Sequence, residues 1–318
     1  MPWVGLALLA AFPLVAPALG LDYYINFVRR ALIFAIAAAS LNFILGFGGL
    51  VALGHMSLLG AGAYAMVGLV DAGVQSARVL WPFAFVVAGI VSCAIGSISL
   101  RAKGVYFIMS TLAFAQMLYF VSVSLRTYGG DDGYNLPARP SLGLGLDLTN
   151  EPTFYWVVLA IAAAVFWALN RATVSRFGHA LMGIRDNETR MLALGFPVYR
   201  LKLAAFTAAG AVAGLAGALL VTHNSFISPS IMHWTQSATL IVMVVIGGVG
   251  RRWGGPIGVA VWMALEEVLK LQTDYWHMPL GFLLIAIVFL APRGLGALFD
   301  KRAAKRVAAK PAVAGEAA

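Results

Sequence analysis

From Ala31 to Val70 the chain runs for 40 residues without an Asp, Glu, Lys or Arg. A bilayer core of about 30 Å takes roughly 20 helical residues to cross, so this stretch is long enough for two passages. Gly46, Gly48 and Gly49 mark the break between them. The rest of the sequence follows the same pattern. Hydrophobic residues make up 61% and charged residues 11%, against roughly 45–50% and about 25% in a soluble domain. A water-soluble chain so composed could not cover its own apolar surface, and the alternation of a β-barrel strand is absent. The expected fold class is an all-α integral membrane protein with about ten transmembrane helices.

Spans are expected at 3–20, 31–46, 50–70, 79–100, 104–125, 153–170, 203–222, 237–250, 254–270 and 279–292. Residues 1–300 then form one transmembrane domain, and 301–318 a basic, disordered tail. Ala16-Pro17-Ala18 resembles a signal-peptide cleavage site, but no basic residue precedes the apolar run, so it is read as a retained first helix. The single cysteine, Cys93, allows no disulfide within one chain. The net charge of +9 is scattered over loops and the tail, which points to topology signals rather than nucleic acid.

Lys and Arg stay on the cytoplasmic side. Residues 171–202 hold six (Arg171, Arg176, Arg185, Arg190, Arg200, Lys202), and the tail from 293 holds six more. Residues 126–152 carry two basic residues against four acidic ones and are rich in Gly and Pro, as suits an external loop. Both termini are therefore expected inside. One local violation follows, because Arg29 and Arg30 then fall on the outer side.

The inside segment from Arg176 to Phe206 reads RFGHALMGIRDNETRMLALGFPVYRLKLAAF. Asp186 or Asn187 can cap a short helix, Met191, Leu192 and Leu194 give it apolar contacts, and Gly195 and Pro197 end it. Such a helix outside the bilayer must bury its apolar side on something. A second informative stretch, Gly46 to Leu69, reads GFGGLVALGHMSLLGAGAYAMVGL, and a third Gly/Pro-interrupted run lies at Gly247–Gly258. Repeated glycines permit close backbone approach or a helix break. Paired interruptions in two halves of a transporter point to its path.

In these stretches the chain resembles the LivM-type branched-chain amino-acid permeases of bacterial ATP-binding-cassette (ABC) importers, through G-I-R-D-N-E at 183–188, A-L-G-F-P-V-Y-R-L-K-L-A-A-F at 193–206 and G-x-G-A-Y at 60–64. The wider importer signature of Glu-Ala-Ala followed by Gly is degenerate, since Thr189 and Arg190 follow Glu188 and Gly195 comes seven residues on. The resemblance implies an inner-membrane permease carrying Leu, Ile or Val by alternating access. Its implied partners are a homologous permease of the LivH type, two cytoplasmic ATPase subunits and a periplasmic binding protein. ATP and Mg would be bound by the ATPases, with no cofactor in this chain. The segment 171–202 would supply the helix that docks on an ATPase, with Gly183, Arg185, Asp186, Asn187, Glu188, Leu192, Ala193 and Gly195 as its expected residues.

Candidates for the translocation path are Gly49, Gly54, His55, Ser57, Gly60, Gly62 and Tyr64 from the first break, and Gly247, Gly248, Gly254, Gly255 and Pro256 from the second. For each glycine, tight helix packing is the competing role, and Gly210 with Gly214 is assigned to packing. Glu266 and Glu267 lie about one turn from Lys270, as an interfacial pair would. No phosphate loop, zinc-helix motif or nucleophile elbow occurs, so a chain that moved solute with ATP would borrow its ATPase. Two alternatives stay open: a permease of the same superfamily for urea, an amide or a sugar, and a stand-alone secondary transporter.

Single cysteines at Asp132 and Asn187, in a background lacking Cys93, test the orientation. An impermeant thiol reagent added to intact spheroplasts should label the first and not the second. The reverse pattern would invert the topology and remove the importer reading.

Overall fold

The computed structural model describes residues 22–143, 148–272 and 277–290, with isolated positions at 9, 12, 13, 275 and 294–296. The expected first span at 3–20 and the tail at 301–318 lie outside the described residues, apart from those isolated positions. Among the described residues nine helices run back and forth in the body: α1 (Asp22–Asn42), α2 (His55–Asp71), α3 (Ala77–Ser99), α4 (Val105–Ser124), α5 (Glu151–Val174), α8 (Val198–Asn224), α9 (Trp234–Gly247), α10 (Gly254–Gln272) and α11 (His277–Leu290). Two short helices, α6 (Arg176–Asp186) and α7 (Glu188–Ala193), join α5 to α8. The all-α membrane class is thus observed. The only strands among the described residues are β1 (Tyr134–Asn135) and β2 (Phe226–Ile227), an antiparallel pair with Tyr134 opposite Ile227.

Among the described residues, five stretches are long and apolar enough to cross a bilayer: α1 with its extension to Phe47, α3, α4, α5 and α8. The remaining expected spans among the described residues are shorter or less apolar. Helix α2 has 17 residues and α9 and α11 have 14 each, about 21–26 Å at 1.5 Å per residue. Helices α2 and α9 can be this short because irregular backbone before them packs within the protein. The 50–54 stretch before α2 contains buried Leu50, Ala52 and Gly54, and a 3₁₀ turn at Pro229–Met232 precedes α9.

Helix α8 is the centre. It packs along α3 and α2, while α1 packs against α10, α5 and α8. Small residues permit this closeness. A Cβ on Gly62 would run into the backbone of Gly214, one on Gly214 into Ala88, and one on Gly217 into the carbonyl of Leu59. Gly210 and Gly214 are therefore packing glycines, as expected, and Gly62 joins them.

At the end of the body where the 126–152 loop sits, Arg29 is 1% exposed. It does not lie in a loop before α1 but inside the helix, which begins nine residues earlier than the expected span. Burial of a guanidinium is costly unless every donor is used. Arg29 ion-pairs with Glu151, donates to His223 Nδ1 at 2.9 Å and to Asn26, and lies 4.6 Å from the Phe154 ring centroid. Arg139 closes on the same carboxylate at 2.8 Å. The apparent violation of the charge rule at Arg29 is thus a structural ion pair joining α1, α5 and α8.

Arg29→Ala empties a buried site and leaves Glu151, which is 39% exposed, with Arg139 as its remaining ion-pair partner, and should cost about 1–3 kcal/mol. Arg30→Ala, at an exposed neighbour, should change stability by under about 0.5 kcal/mol. Thermal unfolding of the purified variants in detergent checks this, and equal melting points would contradict the buried pair.

Candidate functional site

The segment at the opposite end from the 126–152 loop is built by two caps. Ser175 ends α5 and accepts a hydrogen bond from Gly178 N, starting α6. Asn187 ends α6, and its side chain accepts from Arg190 N at 2.8 Å, starting α7. Of the two expected cap residues, Asn187 makes the cap and Asp186 is the last residue of α6. Gly195, at φ +81°, ends the segment before Pro197 caps α8.

The platform has a small core of its own, in which Ala180, Ile184, Met191 and Val198 are buried together. Gly183 leaves room for the Met191 thioether. Met191 therefore faces inward, while Leu192 is 52% and Leu194 65% exposed, with Phe196 beside them at 41%. Ala193 is exposed as well. An apolar patch on a lipid-facing helix is ordinary. This one lies on the same short segment as Arg185, Asp186 and Arg190, all exposed, with exposed Arg200 following it.

Glu188 accepts from Lys202 at 2.9 Å and pairs with Lys103 at 3.2 Å. Partial burial pushes its carboxyl upward, but the hydrogen bonds and charges of Lys202 and Lys103 prevail and hold it below the usual carboxylate range. It ties α7 to α8 and to the turn between α3 and α4.

The two glycine breaks meet at this same end. Helix α1 runs on into a π-helical turn, Phe43–Phe47, and Gly49 follows at φ +67°. A Cβ on Gly46 would strike the backbone nitrogen of Gly250, and one on Gly49 would come within 2.8 Å of Arg185 Cγ. Asn42 binds the second break from both sides, donating to the Arg251 carbonyl at 2.6 Å and accepting from Gly250 N at 2.9 Å. Gly247, Gly254 and Gly255 are backbone-to-backbone contacts, with Gly255 against Ala38; Gly248 has φ +108°, and Pro256 lies in the first turn of α10.

Apart from Gly49, which is exposed, the path candidates of the first break are buried in packing. Gly54 abuts the carbonyl of Thr111, Gly60 the side chain of Met232, and Gly62 the backbone of Gly214. Ser57 donates to Gly54 O at 2.7 Å. His55 Nε2 lies 2.8 Å from Ser40 Oγ, whereas His55 Nδ1 and Tyr64 Oη have no hydrogen-bond partner among the described residues. Of the acidic pair on α10, Glu266 binds Lys270 and Trp262, and Glu267 accepts from Tyr23.

Sequence reasoning missed three features: the Arg29 cluster, the Glu188 clamp and a contact from Arg185 to Gly46. The first had a signal, since the apolar residues Ile25, Phe27 and Val28 continue the α1 pattern past Arg29. The other two join residues far apart in sequence and had none.

A family model described as "Branched-chain amino acid transport system / permease component" matches residues 23–289. The chain belongs to that family. The permease is 25% identical over 294 residues to the high-affinity branched-chain amino acid transport system permease protein LivM of Escherichia coli, covering 85% of this chain and 69% of that one. It is 26% identical to the probable branched-chain amino acid transport permease LivM of Methanocaldococcus jannaschii over 67% of each chain. It is also 25% identical, over 86% of each, to the ribose import permease protein RbsC of Haemophilus influenzae. No solved structure matches the permease. Family and helices together make it a multi-pass membrane permease of an ABC importer family, whose members work with ATPase and binding-protein partners.

Proposed function

We propose that this permease is the LivM-type subunit of an importer for branched-chain amino acids in the bacterial inner membrane. It would pair with a LivH-type permease and take its energy from two cytoplasmic ATPases. A periplasmic protein would deliver Leu, Ile or Val at the end carrying the 126–152 loop. The observation that carries the ATPase contact is the exposed apolar patch of Leu192, Leu194 and Phe196 on a charged platform outside the bundle. The residues buried behind it, Met191 and Ile184 above all, fix the patch in place. The solute reading is supported by the two LivM relatives, while the ribose permease relative supports a sugar as the second reading.

The permease itself makes and breaks no bond in this mechanism. ATP closes the paired ATPases, the platform moves with them, and the helices at the 46–54 and 247–255 breaks change which side is open. The path candidates His55 and Tyr64 are proposed to face the solute in a conformation other than this closely packed one; support comes from their unpartnered polar atoms in a buried region.

Leu192→Asp places on the docking face a charge that must be desolvated, at a cost on the order of several kcal/mol if unpaired. The variant should reach normal membrane levels, lose its ATPases on purification and abolish uptake. Retention of both ATPases and uptake would return the segment to a solvated loop. In the parent complex, uptake of labelled leucine should be competed by isoleucine and valine and not by ribose, and the opposite result would replace the solute.

A further inference from the structure

Helix α1 ends in a π-helical turn, a form found mostly as single turns at functional sites, and the last carbonyls of any helix find no partner within it. Here one of them, Gly46 O, accepts from Arg185 Nη1 at 2.6 Å. The same guanidinium binds Asp186 Oδ1 through Nε at 3.0 Å and Nη2 at 2.8 Å. Its two edges are thus divided between the platform and the end of α1. The stem is fixed as well, because Gly49, in a left-handed conformation, lies against Arg185 Cγ.

The contact continues beyond Gly46. That residue touches the backbone of Gly250, and Asn42, one turn earlier and 3% exposed, holds Gly250 N and the Arg251 carbonyl. Gly250, at φ +73°, in turn belongs to the loop linking α9 and α10. No bulky side chain intervenes between Arg185, Gly46, Gly250 and Asn42, so little soft packing could absorb a displacement. A planar fork with five donors suits such a joint; an ammonium on a flexible stem does not.

We propose that Arg185 is a positioning residue that carries movement of the α6–α7 platform to the π-helical end of α1 and, through Gly46 and Asn42, to the loop between α9 and α10. The inference rests on the importer reading and deepens it. Two properties follow from the geometry. Cutting the relay at either end gives the same defect, and cutting both gives no further defect. Attachment of the ATPases is unaffected, because the Arg185 guanidinium, expected from the sequence on the docking face, is instead engaged by Gly46 O and Asp186, and the Leu192, Leu194 and Phe196 patch is untouched.

The test uses the full complex in proteoliposomes with binding protein and leucine as the probe, and reads leucine moved per ATP hydrolysed. Arg185→Ala and Asn42→Ala should each keep the ATPases bound and ATP hydrolysis within about twofold of the parent, while lowering that ratio at least tenfold. The double variant should be no worse than the lower single, and Arg185→Lys should fall between Arg185→Ala and the parent. Should Arg185→Ala not assemble, Arg185→Lys decides by the same ratio. An unchanged ratio in the assembled Arg185 variants, or multiplied defects in the double variant, overturns the relay. Failure of the parent itself to hold ATPases or to move leucine with ATP instead overturns the importer reading on which it rests.

Discussion

Hydrocarbon offers no hydrogen bonds, and every backbone break or charge inside the body must find its partner within the protein. Most of what is distinctive here follows from that constraint. The break after α1 exposes helix-end carbonyls, and Arg185 reaches across from the platform to satisfy one of them. The break between α9 and α10 exposes an amide and a carbonyl, and Asn42 satisfies both. Arg29 spends its donors on Glu151, His223 and Asn26. Arg185, Asn42 and Arg29 have each become a joint between elements distant in sequence.

The two ends of the molecule are joined differently. At the 126–152 end, α1, α5 and α8 share a buried ion pair, and a two-residue strand pair ties the loop to the end of α8. At the platform end the joints are backbone contacts through glycine, hydrogen bonds from Arg185 and Asn42, and the Glu188 pairs with Lys202 and Lys103.

Much of the bundle was legible because apolar runs of about 20 residues have few other uses. The helix starts were less so. Arg29 and Arg30 read as a boundary because charge marks span ends, and the partner that makes Arg29 tolerable stands 122 residues away. The short platform helix was legible from Asn187 and Gly195, whose capping and left-handed roles depend only on neighbours. The partners of Glu188 were not legible, since Lys103 and Lys202 reach it only in the fold. Glycines are ambiguous in any sequence. Gly62 reads the same whether it borders a path or another backbone, and the neighbour that decides it, Gly214, lies on a separate helix.

The central claim is that an ATPase subunit sits on the 192–196 patch. Site-specific photo-crosslinking in intact cells tests it without purification, with a photoreactive residue replacing Leu194 in one variant and Val79, exposed at the far end of the body, in another. The expected result is a crosslink from position 194 to a protein recognised by antibody against the ATPase, and none from position 79. A position 194 variant that is inserted normally and crosslinks only lipid, or nothing, would contradict the claim.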